Sequence, residues 1–158
     1  MYFCWMVTIV LFEEKYAAAF KALNLHWLDA YDLTEEADLR VLNHPQQEII
    51  DKEGIIFLAL HNDAVVGTAA LIKEHDGVYE LAKMSVAPQH QGRGISRQLL
   101  QACLQQAKQW QATEVQLYSN SQLKAALGLY ESVGFTYMPL ENSPFETADI
   151  KMQLLLQN

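Results

Sequence analysis

The feature that most constrains this sequence is a glycine-rich segment between a run of strand-forming residues and a long amphipathic stretch. Residues Val78–Val86 predict a strand, which Pro88 stops because proline cannot donate to a sheet ladder. Gly92 and Gly94 follow, and apolar side chains then recur at helical spacing up to Trp110. The sequence therefore predicts a strand, a glycine loop and a helix in immediate succession.

This loop has the chemistry of an anion site. Gly92 and Gly94 let the backbone turn sharply and approach a ligand closely. The free N–H groups and the dipole at a helix start favour negative charge. Arg93 and Arg97 add positive charge in a chain whose net charge is -8. We interpret the loop as a phosphate or pyrophosphate site; the alternative is a turn that only connects strand and helix.

Two common phosphate-binding motifs do not fit. A Walker loop requires Gly-Lys-Ser/Thr, but Gly94 is followed by Ile95 and Ser96. The dinucleotide fingerprint requires a third glycine where this chain has Arg97.

Hydrophobic periodicity predicts the order β-α-α-β-β-β-α-β-α-β-β along one domain, residues 1–158. Thr34 is the expected N-cap of the second helical stretch, and Pro45 should interrupt that stretch. The predicted strands span residues 1–12, 55–60, 65–72, 78–86, 114–118, 135–140 and 148–156, and the predicted helices span residues 13–30, 34–51, 93–110 and 121–132.

Two segments resemble a known family. Residues Val86–Leu100 resemble the acetyl-CoA signature of the GNAT N-acetyltransferases, V-x-P-x-x-Q/R-x-x-G-x-G/A, although Gln89 directly follows the proline and Ser96 replaces a commoner glycine. Residues Ala126–Phe135 are similar to the family's A-x-x-L-Y-x-x-x-G-F segment, and Ser119-Asn120 resembles its S/T-N at a strand end. The resemblance implies an α+β fold, with a central mixed sheet of about seven strands flanked by about four helices.

The resemblance also implies a function. The chain would be an acetyl-CoA-dependent N-acetyltransferase, which transfers an acetyl group to a primary amine by direct attack on the thioester. A non-catalytic CoA-binding sensor or an interaction domain is the alternative. The loop residues implied in cofactor binding are Gln89, Gln91, Gly92, Arg93, Gly94, Ile95, Ser96 and Arg97.

Acetyl transfer needs a proton acceptor, because amines such as lysine have a pKa near ~10.4. Glu80 is the candidate base, since family members similar here carry a catalytic glutamate that commonly acts through water. The alternative interpretation is that Glu80 is an ordinary strand residue that faces solvent. Tyr130 is the candidate general acid toward the leaving thiolate, and its alternative is a core residue of an amphipathic helix.

Two further positions complete the expected site. A strand that splays or bulges would expose backbone N–H groups at Met84, Ser85 and Val86, which could then contact the acyl oxygen and the cofactor arm. Asn120 could hydrogen-bond the cofactor arm or cap the next helix.

Composition limits the remaining options. The acidic charge disfavours nucleic acid, and the apolar segment Met1–Phe12 is too short to span a bilayer. Cys4, Cys103 and the five histidines show no metal-ligand spacing, so no metal is expected and both thiols are expected to be free. The expected partner is a small-molecule or peptide amine in the cytoplasm, and the family resemblance allows a homodimer.

Overall fold

A seven-stranded mixed sheet organises residues 6–157, the part of the chain that the computed structural model describes. The strands are β1 (Thr8–Leu11), β2 (Ile55–His61), β3 (Ala64–His75), β4 (Val78–Val86), β5 (Glu114–Ser119), β6 (Thr136–Met138) and β7 (Ile150–Leu155). Their order across the sheet is β1-β2-β3-β4-β5-β7-β6, and the β4–β5 pair is parallel while the others are antiparallel. The predicted order of strands and helices is confirmed.

Four α-helices pack on this sheet within the described residues: α1 (Ala17–Ala30), α2 (Glu36–Asn43), α3 (Ile95–Gln109) and α4 (Lys124–Ser132). Short helical turns lie at Glu14–Tyr16, Gln46–Ile50 and Pro88–His90. The predicted break at Pro45 is confirmed, since α2 ends at Asn43. Residues 1–5 of the predicted first strand, including Cys4, lie outside the described residues.

The predicted N-cap at Thr34 is wrong. Glu35 caps α2, because its extended backbone places its N–H against the Asp38 carboxylate at 2.9 Å in a reciprocal capping box. Thr34 lies one residue too early, and its hydroxyl donates to Asp29 instead.

The sheet separates two apolar cores. Leu99, Leu100 and Cys103 of α3 are fully buried on one face, in the same cluster as Tyr130 of α4. Phe20 of α1 and residues of α2 and the Gln46–Ile50 turn fill the other face. Burying each large apolar side chain stabilises the fold by about 1.5–3 kcal/mol.

The parallel ladder between β4 and β5 is short. It comprises three residue pairs and ends at Glu80 and Gln116, although β4 continues to Val86 and β5 to Ser119. Beyond the third pair the two strands therefore separate, and the sheet divides at its centre.

Residues 6–157 lack two features, a membrane-spanning helix and a cluster of metal-ligating side chains. None of the helices there is long and apolar enough to cross a membrane. In the same residues, no three His, Cys, Asp or Glu side chains are grouped closely enough to hold a metal ion.

Candidate active site

An open cavity of about 720 Å³ lies where β4 and β5 separate. The glycine loop, the start of α3 and residues of α1 line it, as do Phe145, Thr147 and Ala148 before β7. Of the residues expected from the sequence, the cavity is lined by Glu80, Met84, Ser85, Val86, Gln91, Gly92, Gly94, Ile95, Ser96, Arg97, Asn120 and Tyr130. Gln89 and Arg93 are exposed loop residues outside this lining.

The wall formed by β4 contains a β-bulge. Thr68 pairs with Ser85 and Ala70 with Ala82, so β4 carries one extra residue between these pairs. Lys83 there has a φ of 52°, a left-handed conformation that costs a non-glycine residue about 1–2 kcal/mol. The irregularity anticipated near Met84 is therefore present in the strand.

Buried hydrogen bonds hold this bulge in place. Thr68 Oγ1 donates to the Lys83 carbonyl at 2.7 Å, and Asn24 Nδ2 of α1 donates to Thr68 Oγ1 at 3.1 Å. Ser85 Oγ donates to the Leu23 carbonyl at 2.9 Å. The bulge is thus fixed against both β3 and α1, which offsets its backbone strain.

Glu80 is buried in the cavity wall, with 7% of its surface exposed. Burial raises the pKa of Glu80 to about 8, and a hydrogen bond and charge from Glu74 add to the shift, while Lys83 opposes it. The solvent-facing alternative for Glu80 is therefore wrong. Its carboxyl group can hold or release a proton near neutral pH.

Tyr130 both packs in the core and lines the cavity. Its ring meets Phe135 edge-on with centroids 5.8 Å apart, and its hydroxyl donates to Met84 Sδ at 3.8 Å. Burial raises the pKa of Tyr130 to about 12, with a further contribution from Cys103. Tyr130 therefore remains a phenol and a hydrogen-bond donor throughout the physiological range.

Glu80 and Tyr130 approach the cavity from opposite faces of the sheet. Glu80 pairs directly with Ile72, which packs against the core beneath α1 and α2. Side chains of directly opposed residues share a face. Tyr130 belongs to the core on the α3 side. Only the separation of β4 from β5 gives both side chains access to one cavity.

The glycine loop has the geometry that an anionic ligand requires. Gly92 and Gly94 have φ values of 78° and 76°. A Cβ atom at either position would meet no atom within 4 Å, so neither glycine is needed for close packing inside the protein. Gly94 is the N-cap of α3, whose first-turn N–H groups lack partners within the helix. The loop therefore fits a phosphate-bearing cofactor.

Several expected ligand contacts already have protein partners. Asn120 Nδ2 donates to the Thr147 carbonyl at 2.8 Å, and Asn120 Oδ1 accepts from the Gln122 N–H at 3.0 Å. Asn120 thus makes a local turn and does not cap α4, which begins at Lys124. Arg97 donates to Ser132 Oγ at 3.1 Å. A ligand would share or replace these bonds.

A charged cluster in the cavity wall could not be anticipated from the sequence. Lys83 Nζ forms an ion pair with Asp38 Oδ1 at 2.5 Å, and both side chains are buried. Glu35, beside Asp38, accepts hydrogen bonds from the Glu146 and Thr147 N–H groups at 2.9 and 3.0 Å. These bonds fasten the segment before β7 to the start of α2. In the sequence, the one indication of this charged cluster is the presence of Lys83 within the mostly apolar β4.

The cavity also has aromatic walls. Trp27, Tyr31, Tyr118 and Phe145 all line it, and so does His90 of the Pro88–His90 turn. Phe145 packs edge-on against Tyr118, with ring centroids 6.2 Å apart. The four rings of Trp27, Tyr31, Tyr118 and Phe145 give the cavity an apolar surface for a second ligand.

Comparison with known proteins identifies the family. The model of the acetyltransferase (GNAT) family matches residues 19–135. An uncharacterized N-acetyltransferase of Mycobacterium tuberculosis is 32% identical over 87 residues, which cover 55% of this chain and 56% of that protein. The alignment therefore spans little more than half the length of this curated relative.

Solved structures share the fold over nearly the whole chain. A GNAT-family acetyltransferase from Staphylococcus aureus has a TM-score of 0.87 at 18% identity, covering 96% of this chain and 100% of its own. The Salmonella typhimurium protein yncA, solved with its cofactor acetyl-CoA, has a TM-score of 0.74 at 25% identity, covering 97% and 95%. The family match covers most of the chain, and the chain accordingly belongs to the GNAT family of acetyltransferases.

Proposed function

We propose that this protein is an N-acetyltransferase that uses acetyl-CoA and transfers the acetyl group to a primary amine by direct attack on the thioester. The observation that carries the proposal is the divided sheet, which brings the glycine loop, Glu80 and Tyr130 to one cavity. Family membership and the acetyl-CoA in the Salmonella protein support the same donor.

Bound acetyl-CoA would supply an activated acetyl thioester at the division of the sheet. We propose that the glycine loop and the start of α3 hold its phosphates, through backbone N–H groups and the charges of Arg93 and Arg97. The complete set proposed to bind it is Met84, Ser85, Val86, Gln89, Gln91, Gly92, Arg93, Gly94, Ile95, Ser96, Arg97 and Asn120.

In this proposal Glu80 accepts the proton that the attacking amine must lose. A base works best when its pKa lies near the working pH, and burial brings the pKa of Glu80 to about 8. Tyr130 holds its phenolic proton and donates it in a hydrogen bond where negative charge develops on sulfur. Backbone N–H groups at the bulge, around Met84, would stabilise the developing oxyanion.

The first test is a calorimetric titration of the purified protein with acetyl-CoA and, separately, with CoA. We expect micromolar binding of both and, with a primary amine added, release of CoA. Binding without turnover across an amine panel would favour a CoA-binding sensor. A folded protein that binds neither would instead favour an interaction domain.

Three related expectations accompany this proposal. We propose that residues 1–158 act as one acetyltransferase domain, since all seven strands of the described residues belong to one sheet. The cytoplasmic location and the homodimer stay predictions.

A further inference from the structure

The ammonium group of Lys83 has hydrogen-bonding capacity that its protein contacts do not use. A lysine carries three N–H donors. Among residues 6–157, the one hydrogen-bond acceptor that Nζ contacts is Asp38 Oδ1, at 2.5 Å. The Lys83 side chain is 6% exposed, so bulk water does not surround it. A buried ammonium with spare donors indicates that another acceptor completes its coordination.

The surroundings of Lys83 place these donors at the cavity. Lys83, Asp38 and Phe145 all line it, and Nζ lies 5.5 Å from the centroid of the Phe145 ring. Glu80, the proposed base, lies three residues earlier on β4 and lines the same cavity. A molecule that presents its amine to Glu80 therefore enters the space beside Lys83.

The charges behind Lys83 indicate which acceptor group fits. Both carboxylate oxygens of Asp38 already have hydrogen-bond partners. Oδ1 accepts from Lys83 Nζ, and Oδ2 accepts from the Glu35 N–H at 2.9 Å. The Glu35 carboxylate, which accepts a hydrogen bond from Thr147, adds a second negative charge to that of Asp38. Two negative charges therefore stand beside the single positive charge of Lys83. An incoming carboxylate would meet net negative charge here, whereas a neutral oxygen would only accept a hydrogen bond.

We propose that Lys83 is an acceptor-recognition residue, which donates to a neutral carbonyl or hydroxyl oxygen carried by the amine acceptor. The substrate class is thus a primary amine with such an oxygen nearby, as in an amino amide or amino alcohol. The aromatic residues Trp27, Tyr31, Tyr118 and Phe145 would pack against its apolar part. This inference rests on the proposed function and narrows its acceptor.

The test uses four amines with one aromatic group: phenethylamine, phenylalanine, phenylalaninamide and phenylalaninol. For the unaltered protein with acetyl-CoA, we expect kcat/KM for the amide and the alcohol to exceed that for the other two by roughly ten- to hundredfold. In the double variant Lys83→Met with Asp38→Asn, which removes the pair without leaving a buried charge, this preference should disappear. The control Lys52→Met removes an exposed lysine outside the cavity and should keep it.

Binding separates this inference from the proposed function. Calorimetry with the CoA-loaded protein should show tighter binding of phenylalaninamide than of phenethylamine, and the difference should vanish in the double variant. Equal binding of all four compounds, or binding of none, would overturn the role of Lys83. Preferential binding without acetylation of any compound would support Lys83 recognition and count against the proposed chemistry.

Discussion

The Tyr130 hydroxyl lies 3.8 Å from Met84 Sδ, so a helix on one face of the sheet contacts the bulged end of β4. The phenol therefore already faces a sulfur atom at the point where the sheet divides. Since the pKa of Tyr130 is raised to about 12, the proton stays on its oxygen. This pairing connects the core beneath α3 with the proposed reaction site.

Replacing Tyr130 with Phe should lower kcat by about 10²-fold, because one donor to developing charge is removed. The affinity for acetyl-CoA, measured by calorimetry, should change little. Tyr137→Phe is the matched control, since Tyr137 is exposed and its hydroxyl contacts Glu131 outside the cavity. Equal kcat values in the two variants would remove Tyr130 from the mechanism.

Glu80→Gln should reduce acetylation most at high pH. Glu80 becomes ionised only as the pH rises through about 8, so at lower pH the neutral glutamine resembles the protonated glutamate. The ratio of unaltered to variant kcat/KM, measured with one amine, should rise toward about 10²-fold above this pH. A ratio that is constant from pH 6 to 9.5 would contradict the assignment of Glu80 as base.

The same substitution should change how stability depends on pH. A carboxyl group whose pKa is raised from 4.5 to about 8 favours folding fully below 4.5 and loses that contribution as the pH rises through 8. Each pH unit in this window costs about 1.4 kcal/mol per proton. Glu80→Gln should therefore gain unfolding temperature relative to the unaltered protein between pH 5 and 8. A difference in unfolding temperature between the two proteins that stays constant from pH 5 to 8 would refute the burial argument.

Gly92→Glu should weaken acetyl-CoA binding at least tenfold, because it adds negative charge to the loop and a side chain at a φ of 78°. Gly128→Ala provides the control. A Cβ atom at Gly128 also meets nothing within 4 Å, but this residue lies in α4 outside the cavity lining. Calorimetric titration of both variants checks the result, and unchanged affinity in folded Gly92→Glu would exclude this loop as the phosphate site.

Glu35→Gln should loosen the segment before β7. Burial opposes ionisation of Glu35, but hydrogen bonds from Thr147 and Glu146 together outweigh it and hold the pKa of Glu35 below its ordinary value of 4.5. The stabilisation is therefore present above pH 4.5 and is lost as the pH falls through the lowered pKa.

The measurements for this variant are acceptor KM and unfolding temperature. We expect KM to rise several-fold and stability at pH 7 to fall by about 1–3 kcal/mol, with the difference shrinking below pH 4.5. Glu36→Gln, at the exposed next position, should show neither effect. A pH-independent stability difference would contradict the role given to the Glu35 carboxylate.

Local patterns account for what could be predicted. The strand Val78–Val86 was predicted with its observed bounds, because an apolar run is stopped there by Pro88. The start of α2 was misplaced by one residue, because the Glu35–Asp38 capping box competes with the nearby threonine. Local patterns of this kind do not distinguish one polar cap from its neighbour.

The site residues that were missed depend on distant contacts. Lys83 meets Asp38 across 45 positions, and Glu35 meets Thr147 across 112. Their meeting depends on the bulge and on the packing of α2, which no spacing in the sequence encodes. The burial of Glu80 likewise follows from tertiary packing. The alternation of side chains along β4 does not decide whether Glu80 faces solvent or the interior.

The short β4–β5 ladder also determines which chemical groups lie along this edge of β4. On the side of residues 81–86 that faces β5, no neighbouring strand among residues 6–157 takes up the main-chain groups. The groups left along that edge are peptide N–H and C=O groups, which every residue type except proline supplies alike. A substitution along residues 81–86 would therefore leave these main-chain groups in place as long as the hydrogen bonds of Thr68 and Ser85 still hold the bulge.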